Sequence, residues 1–175
     1  QLCLMTAQIA NGGYKIYPKI VLNNDQQYLD KYKPLFKNSK NIKLIQKAMF
    51  SSTNEVRGTS YKSRIDDPKY QFAGKTGTAQ VKRITEKDRE LDLKTFEIPY
   101  EERDHALYVA FGPYKNPRYA TSIIIEHGGS GGTTAAPIAK KLFKLIIDRH
   151  KLRQSAKAKN CLLYTSPSPR DSSTS

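Results

Sequence analysis

The strongest constraint on the fold is a pair of apolar runs separated by a short, turn-rich linker. Residues 105–112 (HALYVAFG) and 118–127 (RYATSIIIEH) are rich in the β-branched and aromatic residues that favour strands. The linker at 113–117 contains two prolines and an asparagine, which suits a hairpin. Two strands joined in this way run antiparallel, so the sequence predicts an antiparallel sheet.

Helical patterns lie on both sides of this hairpin in the sequence. The predicted helices each place apolar residues on one face and cover 1–11, 41–50 and 133–152. Asn11-Gly12-Gly13 is a typical C-terminal stop, and Pro137 fits a first helical turn. A strand at 14–22, in which Pro18 indicates a sheet edge or an irregular stretch, and a polar loop at 23–40 are predicted between the first two helices. Helices before and after adjacent antiparallel strands indicate an α+β fold, a sheet covered by helices.

A third candidate strand, about 70–81, contains Lys75-Thr76-Gly77-Thr78. The ammonium of Lys75 attracts a carboxylate, and the hydroxyls of Thr76 and Thr78 can donate hydrogen bonds to it. Gly77 has no side chain, so another backbone can come close. The pattern therefore predicts a site for an anionic, peptide-like ligand.

Length and composition predict one folded domain followed by a tail. Residues 82–104 are dense in both signs of charge and are predicted to be a solvated excursion between strands. From 153 to 175 the sequence becomes rich in Ser and Pro without periodicity, so we predict a disordered tail. This tail is similar to the translated adapter sequence that contaminates sequence assemblies, and we expect it not to belong to the natural protein. The predicted domain is therefore 1–152.

The formal net charge of +14 supports an alternative, a basic module that binds nucleic acid or an anionic polymer. Its basic residues do not alternate with aromatic residues as they do on a nucleic-acid platform. Cys3 and Cys161 form no metal-ligand spacing, and they do not indicate the redox compartment. No membrane-spanning run or signal peptide is recognisable. Since Gln1 opens directly into an apolar helical pattern, we expect the chain to start inside a longer protein.

Five sequence blocks together resemble one known family. They are 71–80 (QFAGKTGTAQ), 104–113 (DHALYVAFGP), 116–120 (NPRYA), 126–131 (EHGGSG) and 135–139 (AAPIA). In this order they are similar to the C-terminal part of the transpeptidase domain of class B penicillin-binding proteins, closest to the elongation-type branch, penicillin-binding protein 2. The resemblance covers about 1–152, and K-T-G is one of the three motifs of the penicillin-recognising serine enzymes.

The resemblance implies the penicillin-binding protein and serine β-lactamase fold and a peptidoglycan D,D-transpeptidase. Such enzymes cross-link stem peptides through an acyl-serine intermediate, react with β-lactam antibiotics at the same serine and need no cofactor. By resemblance, Lys75, Thr76 and Thr78 bind the substrate carboxylate, and Gly77 lets the acyl group approach. The backbone N–H of Thr78 supplies half of the oxyanion hole. A partner glycosyltransferase, elongation-complex proteins and a periplasmic domain anchored in the bacterial inner membrane are also implied, and nucleic acid is not.

The chain departs from the family pattern at two motifs. It contains no S-x-x-K, the motif of the nucleophile and its base. Ser52-Thr53-Asn54 matches S-x-N literally but lies too close to K-T-G, so we interpret it as a helix-end cap or turn. We therefore expect this chain alone to be inactive. A stand-alone β-lactamase or carboxypeptidase also needs the serine motif, so we do not expect the chain to be a complete enzyme of either kind. His105 and His127 are interpreted as structural, and 128–132 as a flexible connection.

Overall fold

The computed structural model describes residues 1–18, 33–83, 86 and 93–164. Its regular elements, in chain order, are α1 (Leu2–Ala10), α2 (Ser39–Asn54), β1 (Ala73–Ala79), β2 (His105–Gly112), β3 (Tyr119–Ile125) and α3 (Ala136–Tyr164). Short 3₁₀ turns occur at Tyr61–Ser63 and Tyr100–Glu102, and a π-helical turn at Gly131–Ala135 leads into α3.

The three strands form one antiparallel sheet in the order β1-β2-β3. In the register of the sheet, Thr76 lies opposite Tyr108, and Tyr108 lies opposite Ile123. The predicted hairpin is thus β2 and β3, and β1 is the predicted third strand. With helices packed on the sheet, the α+β fold class is confirmed.

One face of the sheet packs against α3. Alternate residues of β2 point to this face, so Ala106, Tyr108 and Ala110 are all buried there. The ring of Phe143 from α3 stacks on Phe72 with 5.0 Å between centroids. Burying a side chain of this size contributes about 2 kcal/mol. This face therefore holds the larger core.

The opposite face packs against α1 and α2. Met49 of α2 lies with Phe111 and Ala73 in a second core cluster. The side-chain amide of Gln46 donates to the carbonyl oxygen of Ile9 at 2.7 Å, which ties α2 to the C-terminal end of α1. Because α2 packs beside β1, the C-terminal end of α2 forms part of the surroundings of β1.

The first helix ends where the sequence predicts. Gly12 and Gly13 have φ of 93° and 89°, which favours glycine, and the Asn11 side chain accepts from the N–H of Tyr14 at 2.9 Å. The predicted strand at 14–22 does not form in its described part, 14–18, where Tyr14 makes only an isolated bridge with Pro34. The remainder of that strand lies outside the described residues.

The last helix differs from the prediction at both ends. The π-helical turn occupies Gly131–Ala135, so α3 begins at Ala136 and not at residue 133. It then continues to Tyr164, past the predicted domain end at 152, because the sequence contains no glycine or proline between Pro137 and Pro167. The predicted disordered tail is thus helical as far as Tyr164, and residues 165–175 lie outside the described part. No helix in the described ranges has both the length and the apolar character needed to cross a membrane.

Candidate functional site

The K-T-G residues lie on β1, an edge strand of the described sheet. Ala73 and Gly74 at its start are buried, whereas Lys75 and Thr78 are exposed and Thr76 is half-buried. The strand is therefore fixed in the core at one end and open to solvent at the other. An edge strand carries backbone groups that no neighbouring strand uses, and an extended peptide can pair with them.

The ammonium group of Lys75 lies along its own strand. It donates to the carbonyl oxygen of Thr76 at 2.8 Å and reaches the Thr76 hydroxyl at 3.3 Å. In the part of the chain that the structure describes, no carboxylate forms an ion pair with it. A cation and a hydroxyl thus occupy one exposed spot, an arrangement suited to binding an anion.

Two further hydroxyls continue from Thr76. The Thr59 hydroxyl lies 3.1 Å from the Thr76 hydroxyl, and the Ser52 hydroxyl lies 3.1 Å from that of Thr59. We call Ser52, Thr59 and Thr76 the outer hydroxyl row. The ammonium of Lys75 contacts the last hydroxyl of this row. Neither Thr59 nor Ser52 belongs to the site residues that the sequence predicts. A sequence signal for this segment is the glycine at position 58. In the structure a Cβ there would lie 2.3 Å from the Ser52 carbonyl oxygen, so the segment packs tightly on the end of α2.

A second set of hydroxyls, Thr53, Ser60 and Tyr108, lies behind this row. We call these residues the inner hydroxyl cluster. The Tyr108 hydroxyl lies 2.9 Å from that of Thr53 and 3.0 Å from that of Ser60, and all three residues are fully buried. Burial raises the pKa of the Tyr108 phenol, so the phenol remains protonated. The cluster joins α2, the segment after it and β2.

Gly74 allows the inner hydroxyl cluster to form. A Cβ at this position would lie 2.3 Å from the Tyr108 hydroxyl oxygen, which is shorter than any tolerated contact. The glycine before Lys75 thus lets Tyr108 reach past β1 towards α2. This contact links the start of the K-T-G strand to the helix that carries Ser52.

The Ser52-Thr53-Asn54 segment forms the end of α2, in agreement with its interpretation as a helix-end motif. The Asn54 amide donates to the carbonyl oxygens of Phe50 at 3.0 Å and Phe72 at 2.9 Å. It therefore connects α2 to the residues that lead into β1.

The connection at 128–132 is close-packed and not open, contrary to the expectation of a flexible linker. Gly131 is buried, and a Cβ there would lie 2.2 Å from the Leu107 carbonyl oxygen and 2.7 Å from that of Gly77. The π-helical turn therefore lies directly against the backbone of β1. The missing side chain of Gly131 therefore allows this contact with the backbone of Gly77.

The two predicted structural histidines bind backbone groups and each other. The N–H of His127 donates to Nδ1 of His105 at 2.9 Å, and Nδ1 of His127 donates to the Arg103 carbonyl oxygen at 3.1 Å. These contacts hold His127 at a φ of 53° after β3. Within the described ranges, no group of three potential metal ligands occurs.

Comparison with known proteins identifies the family. The profile of the penicillin binding protein transpeptidase domain matches residues 1–144. Peptidoglycan D,D-transpeptidase MrdA of Salmonella typhimurium strain SL1344 is 43% identical over 105 residues, which is 60% of this chain and 16% of that protein. The Haemophilus influenzae protein of the same name is 34% identical over 104 residues, 59% of this chain and 15% of that protein. The chain thus spans about a sixth of the length of these relatives.

Solved structures agree in fold. A complex of penicillin-binding protein 2 with MreC from Helicobacter pylori has a TM-score of 0.65 and 29% identity over 83% of this chain and 24% of that one. Pseudomonas aeruginosa penicillin-binding protein 2 in complex with WCK 5153 has a TM-score of 0.56 and 32% identity over 78% of this chain and 26% of that one. The family profile, the sequence relatives and the shared fold agree, and the chain belongs to the penicillin-binding protein transpeptidase domain family.

Proposed function

We propose that this chain is the C-terminal portion of a peptidoglycan D,D-transpeptidase domain and that β1 is its carboxylate-binding strand. The observation that carries the proposal is the placement of Lys75, Thr76 and Thr78 together on an exposed edge strand of a transpeptidase fold. A cation beside the Thr76 hydroxyl, with the Thr78 hydroxyl two positions further along the strand, matches the terminal carboxylate of a stem peptide in charge and in hydrogen bonding.

The substrate would lie along the free edge of β1. Its terminal carboxylate would accept hydrogen bonds from Lys75 and from the hydroxyls of Thr76 and Thr78. The Lys75 ammonium, which now donates to Thr76, is exposed and can turn towards an anion without breaking a buried contact. The remainder of the peptide would pair with backbone groups of the strand.

The backbone N–H of Thr78 would be one donor of the oxyanion hole, and such a donor contributes about 3 kcal/mol to transition-state stabilisation. The nucleophilic serine and its base would come from another part of the parent polypeptide, because S-x-x-K does not occur in this chain. We therefore propose that the chain by itself is inactive.

The partners are proposed from the relatives. The Helicobacter pylori penicillin-binding protein 2 forms a complex with MreC, and we extend an elongation-complex partner of this kind to the parent of this chain. A partner glycosyltransferase, reaction with β-lactams, and a periplasmic domain with an inner-membrane anchor elsewhere in the parent belong to the same proposal. The alternative of a basic module for nucleic acid or anionic polymer is not supported by the family match.

Labelling with a fluorescent penicillin tests the proposal. The chain alone should take up no covalent label, whereas the chain joined to an upstream segment with S-x-x-K and S-x-N should be labelled. Lys75→Ala in the joined protein should slow acylation roughly 100-fold, as loss of a transition-state contact does. Lys43→Ala, an exposed lysine on α2, is the control and should leave the rate unchanged. Acylation of Lys75→Ala at the unaltered rate would refute the role of Lys75.

A further inference from the structure

Thr59 combines an exposed side chain with a tightly packed backbone. Its hydroxyl lies at the surface, 3.1 Å from the Thr76 hydroxyl. The next residue, Ser60, is held on α2, because its N–H and its hydroxyl both donate to the Ser52 carbonyl oxygen, at 3.1 and 3.0 Å. On the other side, a Cβ on Gly132 would lie 2.6 Å from the Thr59 carbonyl oxygen. The backbone that presents the Thr59 hydroxyl to Thr76 is therefore packed on two sides.

The Thr76 hydroxyl has two neighbours that can donate to it. A threonine hydroxyl donates one hydrogen bond and accepts up to two. The Lys75 ammonium, which can only donate, supplies one bond to the Thr76 oxygen at 3.3 Å. If the Thr59 hydroxyl supplies the second, the Thr76 oxygen is saturated and its single proton is left for a ligand. If Thr76 instead donates to Thr59, that proton is used within the protein.

The direction of the outer hydroxyl row decides between these two cases. The distances allow either hydroxyl of each pair to donate. Among the residues that the structure describes, the Ser52 hydroxyl bonds only to Thr59, so it can donate there. A carboxylate has only acceptor atoms, and it favours the direction in which each hydroxyl of the row donates towards the ligand. In the reverse direction the last proton faces solvent beside Ser52, and the carboxylate gains no bond from Thr76.

We propose that Thr59 is a positioning residue that donates to the Thr76 hydroxyl and thereby directs the Thr76 proton at a bound carboxylate. This inference rests on the proposed function, and it adds a residue outside the K-T-G strand to carboxylate recognition. An amide NH₂ brings a donor that a saturated Thr76 oxygen cannot accept, so the same arrangement disfavours an amidated terminus. Because Thr59 acts through Thr76, its effect must disappear when the Thr76 hydroxyl is absent.

An NMR titration of the full chain of 175 residues tests this inference. The probes are N-acetyl-D-Ala-D-Ala with a free C-terminal carboxylate and the same peptide with a C-terminal amide, and the backbone N–H signals of 75–78 report binding. The unaltered chain should prefer the free carboxylate. Thr59→Val should weaken binding of the carboxylate roughly three- to tenfold, as loss of one hydrogen bond does, and should leave binding of the amide nearly unchanged. Thr59→Ser keeps the hydroxyl and should keep the affinity.

Thr76→Val separates positioning from a structural role. In this background Thr59→Val should cause no further loss of affinity, because the hydroxyl through which Thr59 acts is gone. Thr121→Val is the matched control, since Thr121 lies on β3, separated from β1 by β2, and it should leave the affinity unchanged. Losses that add in the double variant would show that Thr59 acts by another route and would overturn the proposal. So would a loss in Thr59→Ser as large as that in Thr59→Val.

The two probes also distinguish failure of this inference from failure of the proposed function. Equal affinity of the unaltered chain for the carboxylate and the amide would refute the carboxylate site on β1, and this inference with it. A preference for the carboxylate that Thr59→Val leaves unchanged would refute the role of Thr59 alone and leave the site on β1 intact. Far-UV circular dichroism checks that each variant folds, and the ratio of the two affinities is compared within each variant.

Discussion

The outer hydroxyl row and the inner hydroxyl cluster use the same chemistry in opposite environments. Their residues are immediate neighbours: Ser52 precedes Thr53, Thr59 precedes Ser60, and Thr76 lies opposite Tyr108 in the sheet. The outer members reach solvent, whereas the inner members are fully buried. In the first two pairs, a shift of one position along the chain changes a hydroxyl from a candidate ligand contact to a part of the core.

The physical difference between the two sets is access to water. A buried hydroxyl that loses its partner costs about 1–3 kcal/mol, whereas water replaces a lost partner at the surface. The inner hydroxyl cluster can therefore fix the distance between α2 and β2, and the outer row cannot. We infer that the inner cluster holds the backbone while the outer row remains free to bind.

The largest effect is expected at Gly74, the point where β1 makes room for the inner cluster. Gly74→Ala would place a Cβ 2.3 Å from the Tyr108 hydroxyl oxygen and 2.5 Å from Cζ of the same ring. Overpacking of this kind should lower the free energy of unfolding by about 3 kcal/mol. Urea denaturation followed by circular dichroism measures the change.

Gly77→Ala in the same strand is the matched control for this clash. Its Cβ would meet only Cβ of Leu107, at 3.3 Å, so the loss of stability should be clearly smaller. Combining Gly74→Ala with Tyr108→Phe should cost less than the sum of the two single changes, because the closest clashing atom is removed. Additive costs would show that the contact between Gly74 and Tyr108 does not limit packing.

Tyr108→Phe should have the next largest effect. It removes a hydroxyl shared by Thr53 and Ser60, both buried, and should lower the free energy of unfolding by about 2 kcal/mol. Tyr17→Phe, at a side chain that is 70% exposed, is the control and should change stability by less than about 0.5 kcal/mol. Equal effects at the two tyrosines would remove the distinction between buried and exposed hydroxyls.

The pH dependence of the same variant sharpens this distinction. Burial raises the pKa of Tyr108 in the folded chain above its ordinary value of 10.0. Its contribution to stability is therefore complete below pH 10 and is lost as the pH rises from there through the folded-state pKa. Above pH 10 the stability difference between the unaltered chain and Tyr108→Phe should shrink, by at most about 1.4 kcal/mol per pH unit. Urea denaturation at pH 8 to 11 measures it, and a constant difference would contradict the assigned cause.

The sequence predicted the elements that local patterns define. The runs at 105–112 and 118–127 became β2 and β3 because strand periodicity and β-branched residues are local signals, and Asn11-Gly12-Gly13 ended α1 for the same reason. The K-T-G strand was predicted from a motif. Its functional role is still a prediction.

The contacts between distant segments could not be predicted in this way. Thr53 and Tyr108 are 55 residues apart, and no periodicity records that Gly74 lets them meet. The approach of the segment around Lys62 to the first turns of α3 likewise depends on packing between distant parts of the chain. The segment at 14–18 shows the reverse case: its composition is strand-like, but it forms only the isolated bridge of Tyr14 with Pro34, which agrees with the irregular stretch that Pro18 indicates and not with a continuous strand.

The smallest effect on stability is expected in the outer hydroxyl row, and it tests the comparison most directly. Ser52→Ala and Thr59→Val each remove a hydroxyl whose partner is accessible to water, so each should change the free energy of unfolding by less than about 0.5 kcal/mol. In the joined protein, Thr59→Val should still slow penicillin acylation severalfold, because the Thr76 hydroxyl loses the contact that orients it. A loss of stability as large as that of Tyr108→Phe would place Thr59 in the structural set. Unaltered acylation would show that Thr76 is oriented by β1 alone.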